Sequence, residues 1–256
     1  MSEPLLTRYL PPLLAGRRAE CFRVIQEAIA GGVPAERLLS SVVWPAIEQV
    51  GRLYRDDQIN AALENMASRI NRTIAGQLQA HLPTGARNGR RVLIACADVT
   101  PEETGAQIVA DLFQAEGWEA YFLGGGVPHD EILKLAGELR PSLLLLFGTQ
   151  PSAVPEVRRL IDVIREIDVC PTMNIMVSGG VFNRADGLWQ EIGADAYAET
   201  APSIVRRAAE LRPRQPGAPR PAGIVKKRRR KRKGAIAGPS ALHAAKATPR
   251  AMLHSA

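Results

Sequence analysis

The sequence predicts an α/β protein in three segments: a helical-bundle cap, a five-stranded parallel sheet covered by helices, and a disordered basic tail. Three observations predict it. Up to His81 the apolar residues recur at helical spacing. From Arg91 onward, short and almost wholly apolar runs alternate with amphipathic segments, as in a parallel sheet buried on both faces. After Arg212 the apolar periodicity stops, and Pro, Ala, Gly, Lys and Arg dominate.

In the first segment, "RRAECFRVIQEAIAGG" puts Cys21, Val24, Ile25 and Ala28 on one helical face, and its glycine pair ends the helix. "VPAERLLSSVVWPAIEQVGRLYRDD" opens with Pro34, a favourable first-turn residue, and contains Pro45, which should kink or divide the helix. "INAALENMASRINRTIAGQL" aligns Ile59, Leu63, Met66, Ile70, Ile74 and Leu78 in one stripe. Short connections suggest a small antiparallel bundle whose pattern starts at Leu13, within a first domain spanning 1–82. "HLPTGARNG" reads as a linker.

In the second domain, 90–211, the strands are "RVLIACA", "EAYFLG", "SLLLLFG", "NIMVSGG" and the short "ADAYAE". Helices are expected from about Glu102, near Pro128, from about Ala153, after Asn183, and over "APSIVRRAAEL". The crossovers should be right-handed. Open sheets of this type bind ligands beyond the carboxyl ends of the strands. Here those ends are Ala97–Gly105, Gly124–Pro128, Gly148–Ser152 and Ser178–Val181, where glycine is concentrated and allows close backbone approach.

Composition narrows the classes. Of 256 residues, 46% are hydrophobic, enough for a sizeable core. Cys21, Cys96 and Cys170 form no CxxC pair or framework, which points to a reducing interior. The first residues show no basic start, apolar centre and cleavage site, and no apolar run reaches membrane-spanning length, so a soluble cytoplasmic protein is expected. The net charge of +7 is divided. From Leu211 onward there are thirteen Lys/Arg and no Asp/Glu, while the body carries twenty basic and twenty-six acidic residues. Segregation of this kind indicates a separate task for the tail, 212–256.

Several chemistries are excluded by pattern. "FLGGGVP" lacks the Lys-Ser/Thr end of a P-loop, and Pro128 and His129 break a GxGxxG reading. There is no Gly-x-Ser-x-Gly elbow. His81, His129, His243 and His254 are scattered and form no metal-ligand spacing. Cys96 reads as packing rather than as a nucleophile.

Four segments then occur in a telling order: "WPAIEQVGRLYRDDQINAALEN", "YFLGGGVPHDEI", "VSGGVFN" and "IGADAYAE". From about Leu13 to Leu211 the chain resembles the cobalamin-binding modules of methionine synthase, of methyltransferase corrinoid proteins and of cobalamin-dependent light-sensing repressors. The resemblance implies a four-helix cap on a flavodoxin-like (Rossmann-like) domain. It also implies a corrin ring between the two, with the nucleotide tail entering the sheet domain. In that family the loop after the first strand reads Asp-x-His-x-x-Gly. The His ligates cobalt from below and the Asp orients it.

With Gly105 as the motif glycine, Glu102 stands at the His position and Thr100 at the Asp position. A carboxylate is a poor substitute for imidazole at such a metal. Glu102 reads as a first-turn acid favoured by the helix dipole, and no metal ligand is assigned. The family's third strand often ends in Ser-x-Leu, where the Ser meets the nucleotide base. Here Gly148, Thr149 and Gln150 follow, with Thr149 one residue out of place. The cap of many members shows Trp, nine residues and Glu-His over the upper ring face. Here Tyr54 is followed by nine residues, Glu64 and Asn65. The resemblance thus implies a corrinoid held without either axial His, its tail in the sheet pocket and its own base or water on cobalt. The candidate contacts are Thr100, Glu102, Gly105, Gly148, Thr149, Gly179, Gly180, Tyr54 and Glu64.

In the tail, Lys226, Lys227, Arg228, Arg229, Arg230, Lys231, Arg232 and Lys233 repel one another and suit a polyanion such as nucleic acid, bound without sequence preference. No aromatic residue interleaves with them and no amphipathic stripe flanks them, which argues against base stacking and membrane insertion. A non-catalytic cobalamin-binding regulatory or sensor protein is expected, with a nucleic-acid-contacting tail and a protein partner or a second copy as further partners. The alternatives are a corrinoid methyl-carrier subunit of a methyltransferase system, or a scaffold that has lost the cofactor.

Overall fold

Helix starts earlier in the chain than the apolar spacing indicates. The computed structural model describes residues 4–97 and 103–215. Its first helix, α1, runs Leu5–Leu14 with Pro11 and Pro12 inside it. Each proline removes an N–H donor from the helical ladder. Burial of Tyr9, Pro12 and Leu13 against the bundle offsets the loss. Tyr9 is wholly buried, and its hydroxyl donates to Asn71 Oδ1 at 2.8 Å.

Helix α2 is Arg18–Ala30. The next helix is continuous but uneven: α3 (Ala35–Leu38), a π-helical stretch (Leu39–Val43) and α4 (Trp44–Arg55). The wide turn falls just before Pro45, which has no N–H to continue the regular ladder. The Trp44 N–H reaches back five residues to the Leu39 carbonyl. Ser41 Oγ donates to the Arg37 carbonyl at 2.6 Å. Helix α5 (Ala61–Gln79) is capped by Asn60, whose side chain accepts from the Leu63 N–H at 2.9 Å.

The second segment alternates strand and helix: β1 (Arg91–Cys96), α6 (Glu103–Ala115), β2 (Glu119–Gly124), α7 (His129–Leu139), β3 (Leu143–Phe147), a 3₁₀ turn (Pro151–Ala153), α8 (Val154–Ile167) and β4 (Asn174–Ser178). The single helix expected after Asn183 is replaced by two one-turn helices, α9 (Gly180–Asn183) and α10 (Leu188–Glu191). Gly187 between them has φ +77°, which a continuous right-handed helix cannot contain. Strand β5 (Ala196–Tyr197) and α11 (Ala201–Glu210) complete the domain.

All strand pairs are parallel, in the order β2-β1-β3-β4-β5. This is the flavodoxin-like order, and its topological switch point lies between β1 and β3. Alternation along β1 divides the core. Val92 and Ile94 pack with α6, α11 and the helical cap, while Leu93 and Ala95 pack with residues of α7 and α8. The cap therefore shares a continuous apolar core with one face of the sheet.

At the amino edge of the sheet, Asp195 accepts from the Ile175 N–H at 2.7 Å and pairs with Arg165 and with Arg214 Nε, the latter at 3.4 Å. Asn174 Nδ2 donates to the Arg212 carbonyl at 2.9 Å, and the Arg214 N–H to the Thr172 carbonyl at 2.9 Å. The segment after α11 is thereby tied beneath β4. No helix among the described residues is long and apolar enough to cross a membrane.

Candidate functional site

A cavity of about 480 Å³ lies between the cap and the carboxyl ends of the strands. Its apolar walls come from Leu6 and Leu10 of α1, Trp44, Ile47 and Val50 of α4, and Phe147 at the end of β3. Polar groups converge from Glu48, Arg52, Arg55, Glu64 and Ser68 above, and from Thr104, Thr149, Asn183, Arg184 and Glu199 below. Its place beside the β1/β3 switch point is where an open sheet of this order presents its ligand site.

Of the residues expected from sequence, Glu64, Gly105, Thr149, Gly179 and Gly180 meet at this cavity. Gly148 lies outside its lining, against Phe182. Tyr54 also lies outside, with 44% of its surface exposed near the end of α4. Thr100 and Glu102 fall outside the described residues, as do 226–233.

The residues that shape the site most were not read from sequence. Trp44 meets Phe147 edge to face, with ring centroids 6.2 Å apart, joining cap to sheet. Trp44 Nε1 donates to Glu48 Oε1 at 3.0 Å. Burial is the main cause that pushes the Glu48 carboxyl above the usual range. The Trp44 hydrogen bond opposes this, and the nearby Glu199 charge adds to it. Arg184 Nη2 donates to the Thr149 carbonyl at 2.8 Å. Trp44 opens the segment "WPAIEQVGRLYRDDQINAALEN", but nothing in its spacing marked it as a site residue. Arg184 carried no motif at all.

Glu103, one residue beyond the acid singled out from sequence, has a fixed structural role. Its Oε1 accepts from the Gly125 N–H at 2.6 Å, and its Oε2 lies 3.8 Å from Arg72 of α5. It links the glycine run after β2 to the cap through the first turn of α6.

The glycines at the strand ends leave less room than their number suggests. A Cβ on Gly105 would lie 3.1 Å from Phe147 Cζ and 3.6 Å from Trp44 Cζ3. One on Gly148 would meet Phe182 at 3.1 Å, and one on Gly180 would meet Arg184 Nη1 at 2.7 Å. Gly179, at φ +104°, would drive a Cβ to 2.2 Å from the Gly148 carbonyl oxygen. Protein atoms take up the space that these glycines provide.

The cavity's apolar walls and polar rim fit a flat macrocycle edged with amides. Its described lining contains no His or Cys, so it offers the metal no imidazole or thiolate. Among the described residues, no group of three or more His, Cys, Asp or Glu is placed to hold a metal ion. Cys96 lies outside the lining, burial pushes the Cys21 thiol up to about 11, and Cys170 is likewise raised.

Known proteins match this architecture along most of the chain. One B12 binding domain family matches residues 5–79, and another matches residues 90–208. Dimethylamine corrinoid protein 3 of Methanosarcina acetivorans is 25% identical over 211 residues, spanning 82% of this chain and 97% of that protein. Trimethylamine corrinoid protein of Methanosarcina barkeri is 24% identical over 190 residues, spanning 72% of this chain and 85% of the relative. The structure of the Methanosarcina barkeri monomethylamine corrinoid protein superposes with a TM-score of 0.74 over 81% of this chain and 98% of that one. At 20% identity, this shows a shared fold. With a cap and a sheet domain that each match, in the family's order, the chain belongs to the cobalamin-binding module family.

Proposed function

We propose that the protein is the corrinoid-carrying subunit of a methyl-transfer system and that it works with a separate methyltransferase rather than as a catalyst by itself. The observation that carries this reading is the cavity between the cap and the β1/β3 switch point. The methylamine corrinoid relatives support it, because they span nearly their whole length on this chain. Leu6, Leu10, Trp44, Ile47 and Val50 would cover the apolar ring, and Thr149, Arg184 and Glu199 would meet its polar edge. A bound corrinoid supplies a cobalt centre able to accept and release a methyl group. The chain's own part is to bind it, orient it and shield it from water. The test is titration of the full chain with hydroxocobalamin and methylcobalamin. Stoichiometric co-migration is expected, and a chain that stays colourless would sink the reading.

A second reading is favoured by Thr100 and Glu102 standing where the family has its Asp and His, together with the cationic run at Lys226–Lys233. In that reading the corrinoid is a signal, the protein is regulatory, and the tail contacts nucleic acid. Two measurements separate the readings. Exchange of a methyl group with a methyltransferase partner supports the carrier. Corrinoid-dependent change in DNA affinity without such exchange supports the sensor.

A further inference from the structure

We infer that Glu48 and Glu199 select the corrinoid by its amide arms. The two carboxylates accept hydrogen bonds from primary amides on the ring's edge and repel a corrinoid that carries a free acid there. The inference rests on the corrinoid-binding reading and adds which ring edge the site accepts.

The two side chains come from opposite walls of the cavity. Glu48 is on α4 of the cap, Glu199 follows β5 in the sheet domain, and both line the cavity. Their charges converge near the end of β5. Burial pushes the Glu48 carboxyl up, and the Glu199 charge adds to it. Burial first, and then the charges of Glu199, Asp186 and Glu48, push the Tyr197 hydroxyl up. Each acid is held in place. Trp44 Nε1 donates to Glu48 Oε1 at 3.0 Å, and the Trp44 ring stands edge to face on Phe147. Asn183 Nδ2 donates to the Glu199 carbonyl at 3.3 Å, while its Oδ1 accepts from the Tyr197 hydroxyl at 2.9 Å.

Neither carboxylate is neutralised. No ion pair among the described residues includes Glu48 or Glu199. Three arginines line the same cavity, yet each makes another contact. Arg184 Nη2 donates to the Thr149 carbonyl at 2.8 Å, and Arg52 Nη2 donates to Gln49 Oε1. Arg55 folds back along its own helix and puts Nη1 3.2 Å from the Cβ position of Gly51. A carboxylate left without a cation bonds to water until a ligand supplies N–H groups. A primary amide supplies two, and a bond to an ionised acceptor is about twice as strong as a neutral one. A ligand carboxylate in the same place supplies no N–H and brings like charge, so attraction is lost and repulsion gained. The rim of a corrin carries amide arms of this kind, and hydrolysis of one arm changes that contact alone.

The test is equilibrium dialysis of the full chain at about pH 8, where carboxylates are ionised. The probes are hydroxocobalamin and its monocarboxylic acids, in each of which one peripheral propionamide is hydrolysed. At least one acid should bind about tenfold or more weakly than hydroxocobalamin. Glu48→Gln or Glu199→Gln should bring that acid to within about threefold of the amide, with the unfolding midpoint unchanged. A Gln side chain still accepts from Trp44 Nε1, so the first change removes charge and keeps the bond that positions it. Acids that all bind as well as hydroxocobalamin, or a penalty that survives both substitutions, would overturn the inference while leaving corrinoid binding intact. Acids that bind more tightly would also overturn it and would assign the ring's edge to Arg52, Arg55 and Arg184. Failure of hydroxocobalamin itself to bind would overturn the corrinoid reading.

Discussion

Asp111 is a buried carboxyl in α6 whose Oδ2 has no hydrogen-bond partner among the described residues. Burial pushes its pKa up to about 6. In the unfolded chain the group titrates near its ordinary value of 3.8. Below that value both states are protonated and the residue costs little. Between about pH 4 and pH 6 the unfolded chain releases the proton while the folded one keeps it, so stability falls as pH rises through this window. Asp111→Leu should therefore stabilise the protein by roughly 2–3 kcal/mol at pH 7 and by much less at pH 4. Urea midpoints at the two pH values would check it, and an equal gain at both would refute the cause. A second residue behaves oppositely. Tyr9→Phe removes the partner of the buried Asn71 carbonyl and should cost about 1–3 kcal/mol. None of this was legible in sequence. An Asp in a helix is ordinarily surface, and Tyr9 and Asn71 are 62 residues apart.

The elements were far more legible, because periodicity and turn residues are local signals. All five strands, the cap helices from α2 onward and the starts of α7 and α8 follow from the spacing of apolar residues and from Gly and Pro. The failures have local causes as well. The apolar pattern starts at Leu13 and so leaves out most of α1, which carries two prolines, and Gly187 interrupts the helix expected after Asn183, leaving the single turn of α10. The site's geometry was least legible because it is made by contacts between elements. Trp44 with Phe147 joins cap to sheet, and no spacing rule reports such a pair. The Asp195 clamp has the same origin and gives a prediction at this scale. Its carboxylate neutralises two arginines whose side chains are only 7% and 12% exposed. Asp195→Ala would take the shared carboxylate away from both arginines and remove the acceptor of the β4 N–H of Ile175. A loss of about 3–5 kcal/mol is expected, with loosening of the segment after α11 visible as faster amide exchange at Arg214. An unchanged unfolding midpoint would show that the clamp is ornamental.

At the scale of the whole molecule the governing feature is the division of charge. The body carries an excess of acid, and everything after Leu211 is basic or neutral. The cavity lies at the carboxyl edge of the sheet, while Arg212 and Arg214 are tied at the amino edge beneath β4. Residues up to 215 are therefore held by the body's own bonds, without any need for the cationic run. Removing Lys226–Lys233 should leave corrinoid affinity and the unfolding midpoint unchanged. Polyanion binding should respond quite differently. If all eight cations meet phosphates, the logarithm of DNA affinity should fall against the logarithm of salt concentration with a slope of about −7, and most of that slope should vanish with the deletion. Substituting the eight residues by serine tests charge apart from length and should abolish binding equally. A DNA affinity indifferent to salt, or one surviving both changes, would place the contact on the acidic body, where like charge opposes it. Corrinoid and DNA affinities, both then held by the body, would have to be measured as coupled quantities.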